Sequence, residues 1–348
     1  MKHKKYLNYA VDTLEKLVNI PSPSGFTENA MKFMKKEAEQ MGYAAKIEHT
    51  GCLVVDVPGE SKSEDILCLA AHVDTLGAMV SAVKPSGFLK FSSVGGYTMQ
   101  SIEGEYCKIH SRSTGKVYTG TVLTTAPSVH VYDDARTQER IEKNMEIRLD
   151  EKVFSAEDVK KLGIGAGDYV SFEPRFEHTK SGFIKSRHLD DKASAAVLWG
   201  VLKFMSDKKL KPDQHVKMML TGFEEVGYGA GWLPEGVTKI LAVDMGAVGD
   251  DLTGDEYHVS ICAKDSAGPY NYAMTNQLIK LAQENELAYA VDVFPHYSSD
   301  VAVAIKGGNA VAGALIGQGV HASHGMERTH EEGLYNTMML VMAYIGLK

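Results

Sequence analysis

The stretch "DILCLAAHVD", residues 65–74, runs almost without interruption through apolar side chains and then ends on a histidine and an aspartate. A strand with one wet face alternates apolar and polar residues, whereas a strand covered on both faces does not. The run therefore reads as a strand in the middle of a parallel sheet, with His72 and Asp74 on one face where it leaves the core. Working outward, "GCLVVDV" (51–57) reads as a neighbouring strand. From about residue 185 helices and strands alternate: "DKASAAVLWGVLKFMSD" as a helix, "HVKMMLTGF" and "KILAVDMG" as strands, "NYAMTNQLIKLAQENE" as a helix, "NAVAGALIG" as a strand and "GLYNTMMLVMAYIGL" as a closing helix. Such alternation predicts a layered α/β domain with a mostly parallel sheet.

Residues 77–183 break this rhythm. Short β-branched runs such as "KVYTGTVLTT" and "DYVSFEP" are separated by glycines and turn residues, with one brief helical piece near Ser155–Leu162. That texture, of a small β-barrel or sandwich, predicts a β-barrel-like domain inserted into the first, with residues 1–76 and 184–348 forming a discontinuous catalytic domain. The chain's 348 residues suit two domains. Near the start, Leu7, Ala10, Val11, Leu14, Leu17 and Val18 recur at helical spacing, so the segment reads as a folded helix and not a secretory leader. After the loop "NIPSPSGFTEN", Thr27 is the expected cap of a second helix and Gly42 its stop.

The composition, 44% hydrophobic and 24% charged, is that of an ordinary globular protein, and no run is long enough to span a bilayer. The net charge of −8 comes without a basic cluster, so neither nucleic acid nor membrane is an expected partner. Four scattered cysteines form no CxxC motif and point to reduced thiols in a cytoplasmic protein.

The acids and histidines fall where the strands end. Besides His72 and Asp74, "MMLTGFEE" ends on Glu224 and Glu225, "ILAVDMG" reaches Asp244, Asp190 and Asp191 precede a helix, and "GVHASHGMERTH" follows the last apolar strand. Each has a bland reading: a satisfied strand-end histidine, a helix N-cap, a turn acid. Together they deliver metal-competent side chains to the carboxyl edge of one sheet, where ligands of open α/β sheets bind. Imidazoles and carboxylates from His72, Asp190, Glu225, Asp244 and His324 suit zinc, cobalt or manganese. If Asp190 bridges, His72 and Asp244 hold one ion and Glu225 and His324 the other. Three carboxylates against two divalent ions leave one positive charge to polarise a carbonyl. Asp74 then orients His72. Neighbouring side chains on an extended chain point opposite ways, so Glu224 faces away from Glu225 and is free to act as general base. Gly227 and Gly229 allow a tight backbone exit.

At these residues the chain resembles the cytosolic dinuclear metalloaminopeptidases of the tetrahedral type, a family of glutamyl and deblocking aminopeptidases in which some members carry an endoglucanase label. The motifs that carry the resemblance are "LVNIPSPSG", "HVDTLG", "LGIGAGDYV", "LDDK", "FEEVG", "VDMG" and the late histidine loop, in that order along nearly the whole chain. The resemblance implies His72, Asp190, Glu225, Asp244 and His324 as ligands of two divalent ions, Asp190 as bridge, Glu224 as base and a cis Asp190–Asp191 peptide. It also implies dimerisation through the inserted domain and assembly of dimers into a dodecamer. Relatives often have "DDR" where Lys192 stands, and a basic residue where Tyr228 follows the "EEVG" glycine. The last ligand usually sits in an "HSP" context, so His321 stays an alternative to His324, with His330 behind it.

The expected activity is metal-dependent removal of N-terminal residues from short peptides. An amidohydrolase or deacylase acting on N-acylated amino acids or blocked peptides would use the same metals. A glycosidase using Glu224 and a second carboxylate would need none, and a non-enzymatic assembly protein would keep the fold alone. His296, Tyr297, Ser298 and Asp300 are candidate pocket residues, at a spacing that fits an ordinary turn equally well.

Overall fold

The computed structural model describes residues 2–61 and 65–347. After two helices come three strands: β1 (Ala44–Ile47), β2 (Leu53–Val57) and β3 (Ile66–His72). Six more follow as β4 (Gly77–Val83), β5 (Leu89–Val94), β6 (Tyr106–His110), β7 (Val117–Thr124), β8 (Met145–Leu149) and β9 (Tyr169–Phe172). A hairpin, β10 (Glu177–His178) and β11 (Phe183–Ser186), leads back to β12 (His215–Thr221), β13 (Val237–Val243), β14 (Gly246–Ala247), β15 (Val259–Asp265), β16 (Gly268–Pro269), β17 (Tyr289–Val293), β18 (Ala312–Val320) and β19 (Glu327–His330). The helices are α1 (Lys4–Val18), α2 (Glu28–Gln40), α3 (Ala156–Lys161), α4 (Leu189–Lys208), α5 (Tyr272–Glu284), α6 (Asp300–Lys306) and α7 (Glu331–Tyr344).

The main sheet runs β1-β2-β12-β3-β13-β18-β15-β16, with β17 beside β15 and β14 beside β18. Its centre is parallel, because β12 and β13 both pair parallel with β3 and β13 pairs parallel with β18. This is the α/β class with a mostly parallel sheet that the sequence predicts. Leu67, Leu69 and Ala71 of β3 pack with α1, α2, α4 and α7, while Cys68 and Ala70 pack into a second apolar layer with Phe294, Val301 and Ala304. Both faces are covered, which is why the run lacks alternation. Each buried leucine contributes about 1.5–3 kcal/mol, so a polar substitution inside β3 has no face to turn to. Trp199, fully buried in α4, keeps its ring N–H bonded to the Met34 carbonyl at 3.0 Å.

The inserted strands close into a barrel, β4-β5-β8-β7-β6-β9, with Val80, Phe91, Ile109, Val122, Ile147 and Val170 among its core. The hairpin β10–β11 joins β19 in a separate three-stranded sheet. Several local expectations change. Thr27 occupies the N-cap of α2, but its side chain makes no capping bond. Gly42 stops that helix as expected, in the left-handed region at φ +91°. The strand read at 309–317 runs from Ala312 to Val320, and α6, which Asp300 opens, lies in a stretch given no element from the sequence. Among the described residues no helix is long and apolar enough to cross a membrane. The four cysteines are free and buried.

Candidate active site

The four parallel strands β12, β3, β13 and β18 end at one edge of the sheet, and each passes directly into a segment carrying a metal-competent side chain. His72 is the last residue of β3, Asp244 follows β13, Glu224 and Glu225 follow β12, and His324 follows β18. Asp190 arrives from α4, whose first turn is not helical at Asp190 and Asp191, and the Asp190–Asp191 peptide is cis. The crowding needs glycine in two places. A Cβ on Gly317 would lie 1.2 Å from the Asp244 carbonyl oxygen, and one on Gly229 would lie 2.4 Å from Asp300 Oδ1.

Two groups of three ligand-type residues result. In each, one donor atom per residue lies within 4.8 Å of the others: His72, Asp190 and Asp244 in the first, Asp190, Glu225 and His324 in the second. Asp190 belongs to both. Its Oδ1 is 3.1 Å from His72 Nε2, and its Oδ2 is 3.3 Å from His324 Nε2. His324 Nε2 is also 3.3 Å from Glu225 Oε2. His72 Nδ1 lies 3.0 Å from the Asp74 carbonyl oxygen, so a proton on Nδ1 leaves the Nε2 lone pair facing the acids.

Asp74 does more than the sequence reading gave it. Its carboxylate lies 3.4 Å from His72 Nδ1, yet it also accepts from Ser24 Oγ at 2.6 Å and from the backbone N–H groups of both Glu224 and Glu225 at 3.2 Å. Glu224–Val226 is one turn of 3₁₀ helix and not extended chain, so the two glutamates diverge for a different reason from the one expected. Asp74 pins both amides, and the chain then leaves through Gly227 at φ +84°. Glu224 Oε2 stands 3.7 Å from His72 Nε2.

The late loop separates the histidine candidates. His324, in the left-handed region at φ +61°, points Nε2 at Asp190 and Glu225 while its Nδ1 bonds the Gly96 carbonyl of the barrel side. His321 is exposed, and its backbone pairs with Arg328. His330 caps α7 and reaches the Ser181 carbonyl at 2.8 Å. Glu327 supports the loop, whereas Arg328 pairs with Glu256 and lies over the Phe183 ring.

Sequence reading missed how central Glu327 is. Buried, it accepts from the His324 N–H at 2.9 Å and from the Asp190 N–H at 3.0 Å, so one carboxylate fixes the backbones of two candidate ligands. Arg187 was missed as well. Its guanidinium holds Glu105 of the barrel side at 2.7 Å and reaches the Gly325 carbonyl at 3.4 Å, next to His324. An S/T/D/E residue three positions past a histidine, or an Arg three before an Asp pair, is too common to read from sequence. Lys192 is buried with Nζ 3.0 and 2.8 Å from the Leu17 and Ile20 carbonyls, at the negative end of α1, and burial lowers its pKa to about 7.

The acids are strongly perturbed. Burial, with Asp190 beside it, pushes Asp244 up to about 7, and burial with the same neighbour holds Glu225 well above the carboxylate range. Burial also raises Glu224, with Asp244 and Asp300 adding to the shift and His72 opposing it. For His72 and His324 burial works the other way, but the facing carboxylates outweigh it. His72 is held well above its ordinary value and His324 at about 10. One Asp191 oxygen accepts from the His72 N–H at 3.1 Å, and the other is buried without a partner. A cleft of about 750 Å³ opens over this cluster and is also lined by His296, Tyr297 and Ser298. Asp300 sits behind it, bonding Thr221 Oγ1 at 2.6 Å and the Ala230 N–H at 2.8 Å.

A parallel α/β sheet with a barrel inserted after β3 is a fold that solved peptidase structures share. The family model described as M42 glutamyl aminopeptidase matches residues 51–340, and the chain belongs to that family. It is an enzyme, an aminopeptidase that hydrolyses peptide bonds. The protein of Bacillus subtilis (strain 168) named "Putative aminopeptidase YhfE" is 45% identical over 336 residues, covering 96% of each chain. Two solved structures share the fold. An aminopeptidase from the archaeon Desulfurococcus kamchatkensis superposes with a TM-score of 0.86 at 22% identity, covering 98% of this chain and 95% of the other. The TET1 peptidase of Pyrococcus horikoshii, described as able to assemble into a tetrahedron or a large octahedral shell, gives 0.84 at 22%, covering 97% and 99%.

Proposed function

We propose that the chain removes N-terminal residues from short peptides with the help of two divalent cations (zinc, cobalt or manganese). His72, Asp190 and Asp244 would hold one, and Asp190, Glu225 and His324 the other. The observation that carries this reading is the shared carboxylate of Asp190, which turns one oxygen to each histidine. The donor set fits such ions: imidazole nitrogen and carboxylate oxygen without a thiolate, buried among acids that otherwise hold protons. When bound, the two cations supply Lewis acidity toward a peptide carbonyl and toward water. The residues do the rest. Glu224 takes the proton of the attacking water and delivers it to the leaving amine, and Asp74 holds the turn that aims it.

Elemental analysis of purified protein is expected to give two divalent ions per chain, and a chelator to stop release of N-terminal residues. One ion per chain, or chelator-resistant release, sinks the reading. Binding is also expected to weaken as pH falls. A carboxylate with a raised pKa keeps its proton below that value, so Asp244, at about 7, must lose a proton to bind at pH 6 but little of one at pH 8. Titration calorimetry at pH 6 and 8, in buffers of different ionisation heat, should show tighter binding at pH 8 and proton release on binding at pH 6. Equal affinity without proton release contradicts it.

The same reading makes the protein a cytoplasmic homo-oligomer, with dimers formed through the inserted barrel and assembled into a dodecamer. The likeness to the TET1 peptidase supports it, and so does the segment between β7 and β8, which leaves Val129, Val131 and Tyr132 exposed. Replacing Val131 and Tyr132 together by glutamate is expected to lower the mass measured by light scattering. An unchanged mass moves the interface elsewhere.

A further inference from the structure

The part of the cleft lining outside the ligand cluster bears on which residue is removed. Val226, Met245, Tyr297, Ser298 and Val303 belong to it. Val226 is exposed and Val303 half-buried, so they give an apolar surface over the buried Met245, while Ser298 is exposed and marks a polar rim. The Tyr297 hydroxyl donates to the Met245 carbonyl at 3.2 Å and is thereby committed to the wall. Among the described residues, no lysine or arginine lines this cleft. The one imidazole outside the ligand cluster is that of His296, exposed at the edge.

The charge count leads the same way. The three ligand carboxylates Asp190, Glu225 and Asp244 leave two divalent cations with one positive charge, and the ionised base Glu224, also in the cleft, cancels it. No positive charge is left over to meet a carboxylate on the substrate's side chain. A glutamate or aspartate at the first position would lose water and gain no partner, facing acids instead. An apolar side chain of leucine or methionine size would lose water against Val226 and Val303, which favours binding. We infer that this chain is selective for peptides beginning with an uncharged apolar residue and discriminates against acidic ones, although its family is described by a glutamyl activity. The inference rests on the cleft being the aminopeptidase site proposed above.

The test uses cation-loaded protein as the full chain, with leucyl, methionyl, lysyl and glutamyl p-nitroanilides. The leucyl and methionyl substrates are expected to exceed the glutamyl one by about 100-fold or more in kcat/KM. Calorimetry with free leucine and free glutamate provides a readout independent of turnover, and leucine is expected to bind more tightly. Ser298→Arg and, separately, Val303→Arg place a cation on the wall and are expected to raise the glutamyl-to-leucyl ratio by about 10-fold or more. A wild-type preference for glutamyl or lysyl over leucyl substrates overturns the inference. So does a ratio unmoved in both arginine variants, which would place the selectivity outside this wall. Failure to cleave any of the four substrates counts against the aminopeptidase reading itself. Calorimetry then decides the pocket alone, and glutamate binding as tightly as leucine overturns the inference.

Discussion

Glu224→Gln is expected to lower kcat by about 10²–10⁴-fold, the usual loss for a general base, and to leave two cations bound. The geometry separates Glu224 from the candidate ligands. It belongs to neither three-residue group, and its nearest imidazole contact, to His72 Nε2, is 3.7 Å, against 3.1 Å for Asp190 and the same nitrogen. Glutamine preserves the shape and the Asp74 bonds, which go to backbone amides that the substitution leaves in place. The proton acceptor alone is lost. Burial raises Glu224, which favours proton capture, and neighbouring cations would pull it back toward the ionised form it needs as a base. Glu225→Gln should behave differently and empty the site shared with His324 first. The measurement is metal content and kcat on the same preparation of each variant. If cations leave Glu224→Gln together with activity, the division of labour between the two glutamates is wrong.

Much of this arrangement is legible in sequence because it is local. An unbroken apolar run must be covered on both faces, so β3, β12, β13 and β18 are readable as central strands. The residue after each run then has to lie at the sheet edge. Other features depend on partners distant in sequence. β15 pairs antiparallel with β18, and no local pattern carries that direction. α6 is seven residues rich in valine, isoleucine and alanine and opens beside Ser298–Ser299, so propensity favours a turn or strand until Val301 and Ala304 are seen against the sheet. The paired glutamates diverge, but in a conformation other than the expected one. The sequence suggests alternation on an extended chain, whereas the structure has a 3₁₀ turn clamped by Asp74. Glu327 and Arg187 act on backbone groups 137 and 138 residues away, Asp190 N–H and Gly325 O, and only the fold brings these together.

Alanine at His324 is expected to cost one cation of the two, and alanine at His321 none. Four candidate ligands come from segments before residue 245. Without a fifth, the group formed by Asp190 and Glu225 would have no imidazole. Both histidines lie within reach of the end of β18, so chain length does not choose between them. Backbone geometry does. The His321 N–H and carbonyl are bonded to Arg328 at 2.8 and 3.1 Å, which fixes it in a bridge with an exposed side chain. The chain then turns through Ala322 at φ +58° and His324 at φ +61°, and Glu327 holds the His324 amide, swinging that imidazole over the cleft. Losing a direct ligand should weaken that ion by more than the 10–100-fold typical of a residue that only supports one. His324→Ala should therefore bind the His72-side cation with near-normal affinity and the second one poorly, with a matching fall in kcat. His321→Ala should match the parent in both. The reverse ranking would reassign the ligand within the same loop and leave the two-cation reading standing. Two tightly bound cations and full activity in both variants would remove the second site as drawn.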